Sequence, residues 1–163
     1  CDNDWKDLTI IRLPENPDFT LLVGWTGQVA ITDSLIQATE KKRKVETDSA
    51  FYKEFLAKSH AIVQGLQSAW NNQDIPALQE GIRANRALLN EFAQVMQLEI
   101  ETPALQTLCD LAEQNGACAK TSGAGGGDCG ICFTQTETQR QQIETQWAKA
   151  QIQVLPLSIA EAW

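Results

Sequence analysis

One histidine, one methionine and one tyrosine occur in 163 residues, and several further scarcities bound what the chain can do. No apolar run reaches the roughly 18 residues that a membrane span needs. No charged-then-apolar signal segment opens the chain, so no membrane partner is expected. Acidic residues outnumber basic ones, 21 Asp and Glu against 13 Lys and Arg, for a formal net charge of −8. That balance argues against a nucleic-acid partner, which would need a basic footprint. The single His60 lies on a predicted helix and reads as a surface or packed residue; no Ser/His/Asp set assembles around it. No G-x-x-x-x-G-K-[ST] occurs, which excludes a P-loop. Cysteines number five, an odd count in apolar company. Cys109, Cys118 and Cys132 read as buried thiols of a reducing, cytoplasmic compartment. Cys129-Gly-Ile-Cys132 has no second C-x-x-C to complete a zinc site, and a separation of three on a strand places the two side chains on opposite faces. No metal site is expected.

What the chain does have is glycine, concentrated in one place. Five of the eight residues from Gly123 to Gly130 are glycine, and no other stretch approaches this density. Glycine allows positive φ and lets a ligand approach bare backbone. Successive N–H groups in such a loop can form an anion-binding nest. A flexible connector is the alternative, since loop composition alone only correlates with function. The flanks, Ala117-Cys-Ala-Lys120 and Ile131-Cys-Phe-Thr134, read as short buried strands, so the loop is pinned at both ends. Gly125 to Gly130 formally matches G-x-G-x-x-G. The dinucleotide fingerprint needs a helix after it, and a strand-like run follows here, so the match is set aside.

The rest of the chain alternates between two periods. Leu8 to Leu13 reads as a strand, Pro14 to Asp18 as a turn and Phe19 to Trp25 as a second strand, close enough for a hairpin. A helix is expected from Thr32 or Asp33 to Lys41-Lys-Arg-Lys44. Those cations read as helix-end charges in solvent or as a phosphate patch. Residues 48 to 71 show helical spacing through Phe51, Phe55, Ile62, Leu66 and Trp70. Residues 74 to 98 do so through Leu78, Ile82, Leu89, Phe92 and Met96, with Pro76 in the first turn. Pro103 to Gln114 forms a further helix, capped by Thr102 and ended by Gly116. Glu137 to Ala150 is a last helix, and Ile152 to Leu157 a last strand. This order predicts an α+β fold, a mainly antiparallel sheet with helices packed on one face. One domain over 1–163 suits the length.

Ser122-Gly-Ala-Gly-Gly-Gly-Asp-Cys-Gly130 resembles the third motif of the GHMP kinases, in the pattern of their phosphomevalonate kinase branch. Leu21-Leu-Val-Gly-Trp-Thr-Gly27 with Ala30-Ile-Thr32, and Trp5-Lys-Asp-Leu-Thr-Ile10 with Leu13, resemble segments that enter the C-terminal domain of those enzymes. The matches cover most of the chain. The resemblance implies a ferredoxin-like C-terminal domain. It also implies a parent that uses ATP and Mg to convert 5-phosphomevalonate into 5-diphosphomevalonate and ADP, in the mevalonate route to isoprenoids. The P-x-x-x-G-L-G-S-S-A-type ATP loop and catalytic acid of that family are not in this sequence. The chain therefore reads as a C-terminal domain whose partner is an N-terminal kinase domain. By itself it is expected to hold no catalytic residue, to be inactive, and to expose an apolar face through which it could form a homodimer.

By the same resemblance, the phosphorylated substrate would meet the loop Ser122, Gly123, Ala124, Gly125, Gly126, Gly127 and Asp128. Asp128 could place a substrate hydroxyl or water, or could bond neighbouring glycine N–H groups and hold the loop's shape. Ser122 offers a hydroxyl to phosphate or backbone. Lys120 could reach a phosphate or point to solvent. Trp25 could wall a ligand site or anchor the core. Two rival readings stay open: another GHMP small-molecule kinase such as mevalonate kinase, and a non-catalytic ferredoxin-like module that binds a metabolite or a partner domain.

Overall fold

The computed structural model describes residues 13, 18–29, 50–123 and 125–157. Apart from Leu13 and Asp18, the expected first strand, the turn after it and the helix ending at Lys44 lie outside those residues, as does Ala124. Among the described residues the elements run β1 (Thr20–Trp25), α1 (Ala50–Asn71), α2 (Ile75–Met96), α3 (Pro103–Gln114), β2 (Cys118–Thr121), β3 (Cys129–Thr134), α4 (Glu137–Lys149) and β4 (Gln153–Leu155).

Three of the four described helix starts are written in the sequence. Asp74, Thr102 and Thr136 accept hydrogen bonds from the amides of Ala77, Leu105 and Gln139, satisfying donors that the first helical turn leaves free. Pro76 and Pro103 sit in first turns, where a missing N–H costs nothing. Gly116, at φ +74, ends α3, and the Ala117 amide returns to the Ala112 carbonyl. The final strand is shorter than the alternation from Ile152 to Leu157 suggests. The Ile152 amide closes the end of α4 on the Trp147 carbonyl, and the Leu157 amide turns back to Leu155. Only Gln153–Leu155 remains to pair with β1.

The sheet order is β2-β3-β1-β4, with every neighbouring pair antiparallel. A strand, a helical crossover, a hairpin, a helix and a closing strand in this order make the ferredoxin-like arrangement. One sheet face carries Leu22, Gly24, Ala119, Gly130 and Cys132. Against it pack Leu108, Cys109 and Ala112 of α3 and Ile143 and Trp147 of α4, all fully buried. The Trp147 indole N–H donates to the Leu108 carbonyl at 3.0 Å, so its one polar atom is satisfied in the core. Gly24 and Gly130 are paired across β1 and β3. A Cβ on Gly24 would stand 2.8 Å from both Leu108 Cδ1 and Trp147 Cζ3, and one on Gly130 would stand 2.7 Å from Leu108 Cδ2. The two glycines thus open the trough into which those large side chains settle.

The α1–α2 hairpin stands beside β2, and Arg83 of α2 reaches the Ala117 carbonyl. A second cluster forms between these helices and the segment after α2: Phe92, Ala93, Met96 and Ile100, flanked by Phe51, Tyr52, Phe55 and Leu98. On the sheet face away from α3 and α4, Phe19 meets Trp70 and Phe133 edge to face, with ring centroids 5.3 and 4.7 Å apart. With Leu66, Leu78, Ile82 and Cys118 these rings line an apolar cleft of about 420 Å³.

Candidate functional site

The glycine loop joins β2 to β3, and it is held open rather than left slack. The Ser122 amide donates to the Cys129 carbonyl at 2.9 Å and closes the base. Gly125, Gly126, Gly127 and Asp128 have φ of 78, 78, 130 and 61°, four successive residues in the positive region. A chain of side-chain-bearing residues would resist that path, because a Cβ crowds the carbonyl there. Three outside groups fix it. The Gly126 amide donates to the Ile100 carbonyl at 2.8 Å, and the Asp128 amide to the Gln28 carbonyl at 2.7 Å. The Asp128 carbonyl accepts both the Thr26 amide, at 2.9 Å, and the Thr26 hydroxyl, at 3.0 Å. The fit under the loop is close: a Cβ on Gly125 would lie 2.5 Å from the Ile100 carbonyl oxygen.

These bonds sort the loop's donors. The amides of Gly126 and Asp128 are spent on anchoring. Those of Gly123, Gly125 and Gly127 donate to no described residue. Asp128 shapes the loop through its backbone, whereas its carboxylate is exposed and bonds none of the described glycine amides. The Cys129 thiol donates to it at 3.7 Å. Ser122 is half-buried at the loop entrance. Lys120 is half-buried too and folds back, with Nζ donating to the Thr121 carbonyl at 2.6 Å. Burial holds its ammonium below the ordinary lysine range. Trp25 is half-buried at the same end of the sheet, opposite Cys129. His60 is exposed on α1.

The cysteines divide by face. Cys132 is fully buried in the main core, whereas Cys129 is half-buried on the other side of β3. The four described thiols are unpaired. Burial raises Cys109 to about 12 and Cys118 to about 11, and pushes Cys132 up further. Cys129 is raised as well, by burial and then by the Asp128 carboxylate. A thiol in that state is a poor nucleophile and a poor metal ligand.

Two neighbours of the loop carry no local sequence signal. Beside Ile100, Glu101 receives Arg86 through Nη2 at 2.6 Å and Nε at 2.9 Å, and Asn90 at 3.1 Å. Arg86 also reaches Asp110 at 2.8 Å. Hydrogen bonding to Glu101 outweighs burial and holds the Arg86 guanidinium above its ordinary range. These partners are 15 and 24 residues apart in the chain, beyond the reach of any periodicity. The Thr26 and Gln28 anchors flank Gly27, at the end of the segment from Leu21 to Gly27 already marked by its glycines.

The chain is similar to known proteins over most of its length. The family profile described as GHMP kinases C terminal matches residues 62–153. Phosphomevalonate kinase of Streptomyces sp. (strain CL190) is 37% identical over 158 residues, which is 96% of this chain and 42% of the relative. Among solved structures, the Lin0012 protein from Listeria innocua superposes with a TM-score of 0.83 at 35% identity, over 88% of this chain and 40% of that one. Streptococcus pneumoniae phosphomevalonate kinase in complex with phosphomevalonate and AMPPNP gives 0.77 at 27%, over 94% of this chain and 43% of that one. The chain thus spans less than half the length of these relatives.

Proposed function

The chain belongs to the GHMP kinases, and we propose that it forms the C-terminal domain of a phosphomevalonate kinase. The parent would transfer the γ-phosphoryl group of ATP to the phosphate of 5-phosphomevalonate, releasing ADP and 5-diphosphomevalonate. The single observation carrying this reading is the 37% identity to a phosphomevalonate kinase across nearly the whole chain.

In such a transfer the protein's work is positioning and charge stabilisation. This chain would give the glycine-loop wall of the cleft. The amides of Gly123, Gly125 and Gly127 would meet the substrate phosphate, with the Ser122 hydroxyl beside them. Bare backbone donors suit a chain of net charge −8, because they offer local positive dipoles without a basic surface. Ala124 and Asp128 complete the loop, and Lys120 stands at its entrance. ATP would be held mainly by an N-terminal kinase domain, which is the proposed partner. Mg²⁺ would neutralise charge on the transferring phosphates. Its ligands are assigned to that N-terminal domain, as the family resemblance implies. Val29, one residue past the Gln28 anchor, is 80% exposed; an apolar side chain there suits contact with that partner domain. A cytoplasmic setting belongs to the same proposal, supported by the four unpaired thiols.

A coupled ADP-release assay tests this. The longer protein that carries the chain should turn over 5-phosphomevalonate with MgATP, and the 163-residue chain alone should not. Turnover of mevalonate with none of 5-phosphomevalonate would move the assignment to another member of the family. Turnover by the isolated chain would end the reading of it as a non-catalytic half.

A further inference from the structure

We infer that Arg86, Asn90 and Glu101 form a positioning clamp for the glycine loop, locking the Ile100 carbonyl on which Gly126 hangs and so setting where the loop's free amides stand. The consequence for turnover rests on the kinase reading above; the geometry does not.

Burying a carboxylate is costly unless it is fully bonded. The Glu101 side chain is 7% exposed and Arg86 is 17% exposed. Both Glu101 oxygens are taken, Oε1 by Arg86 and Oε2 by Arg86 and Asn90. A forked guanidinium–carboxylate pair fixes angle as well as distance, so residue 101 has one seat against α2. Ile100 is buried beside Phe92 and Met96 of the same helix. Its carbonyl accepts the Gly126 amide, and its backbone lies directly under Gly125. Thr102 then caps α3. Three consecutive residues thus tie α2, the loop and α3 together, and the ion pair sits at the middle one. A buried pair is weak support for stability, since apolar side chains of similar volume often serve as well. What it adds here is geometry.

The molecule supplies its own control. Arg83 and Glu113 join the same two helices at 2.8 Å, with side chains 37% and 30% exposed. Arg83 goes on to the Ala117 carbonyl, at the start of β2, and not to the loop.

The test compares Glu101→Gln, Asn90→Ala and Glu113→Gln in the longer kinase, reading amide hydrogen exchange and steady-state kinetics. Glu101→Gln should speed exchange of the Gly126 amide by about tenfold or more, a change of about 1.4 kcal/mol. Amides in the β2–β3 ladder should stay near wild type. Its kcat for 5-phosphomevalonate should fall about 10- to 100-fold, as expected when a reacting group is displaced by a fraction of an ångström to 1 Å. Asn90→Ala keeps the ion pair and the fold, and should show the same pattern at about 3- to 10-fold. Glu113→Gln should leave Gly126 exchange and kcat unchanged. Equal acceleration at Gly126 and throughout β3 would mean general loosening and would overturn the clamp. So would a folded Glu101→Gln, or Asn90→Ala, with normal exchange at Gly126. If the wild-type longer protein fails on 5-phosphomevalonate, the kinase reading falls, while exchange at Gly126 still decides the clamp.

Discussion

Gly24 and Gly130 face each other across β1 and β3 beneath Leu108 and Trp147, while Gly125 to Gly127 form the strained path of the loop a few residues away. The first pair has ordinary backbone and no room; the second set has positive φ and, at Gly125, no room either. The same residue type therefore does two unrelated jobs at one end of one sheet. In the sheet it makes space for side chains arriving from α3 and α4. In the loop it permits a conformation that places amides, three of which are left undonated among the described residues. Glycine density by itself does not separate these jobs; what lies above each Cα does.

Breaking the loop set should have the largest effect. Gly125→Ala drives a methyl against the Ile100 carbonyl at positive φ, a strain of about 1–3 kcal/mol. In the proposed parent kinase, turnover should fall by about 100-fold or more, because the loop must shift to relieve the contact. Thermal melting should move far less than the rate does. Steady-state kinetics beside a melting curve checks both, and near-normal turnover would reduce the loop to a connector.

Breaking the sheet set should reverse that pattern. Gly24→Ala overpacks the trough against Leu108 and Trp147, at a cost of about 1–3 kcal/mol. Urea unfolding should show the loss, with kinetics near wild type wherever the protein remains folded. A third glycine sharpens the contrast. Gly65 is exposed on α1, and nothing lies within 4 Å of where its Cβ would be. It has neither reason to be glycine, so Gly65→Ala should stabilise by about 0.5–1 kcal/mol, read as a higher urea midpoint with unchanged turnover.

The fold was legible wherever the information was local. Thr102, Pro76, Pro103 and Gly116 each announce a helix end through short-range chemistry, and the structure places helix ends there; it adds caps of the same kind at Asp74 and Thr136. Of the expected α2 stripe, Leu78, Ile82, Phe92 and Met96 are buried, whereas Leu89 is only half-buried and its neighbour Leu88 takes the core position. The extent of β4 was not legible, because the Ile152 amide is claimed by the end of α4, a competition that alternation along one strand does not register. At the site, the sequence pointed to the loop and its glycines, and to two uses for the Asp128 carboxylate. The structure puts the loop's anchoring on the Asp128 backbone, and the carboxylate bonds none of the described glycine amides. Lys120 curls onto the Thr121 carbonyl and is half-buried rather than pointing freely to solvent.

The sequence by itself determined the helices with their caps, the strands with their alternation, the α+β class and the place of the glycine loop. Each of these rests on interactions between residues a few positions apart, which composition and period record. Only the tertiary structure decided which glycines make space and which make the turn, which loop amides are spent as anchors, and that Arg86, Asn90 and Glu101 stand behind Ile100. Those facts depend on groups far apart in the chain, as in the Thr26 bond to Asp128, 102 residues away. Such contacts exist only once the sheet has fixed its register, and no periodicity along the chain encodes them.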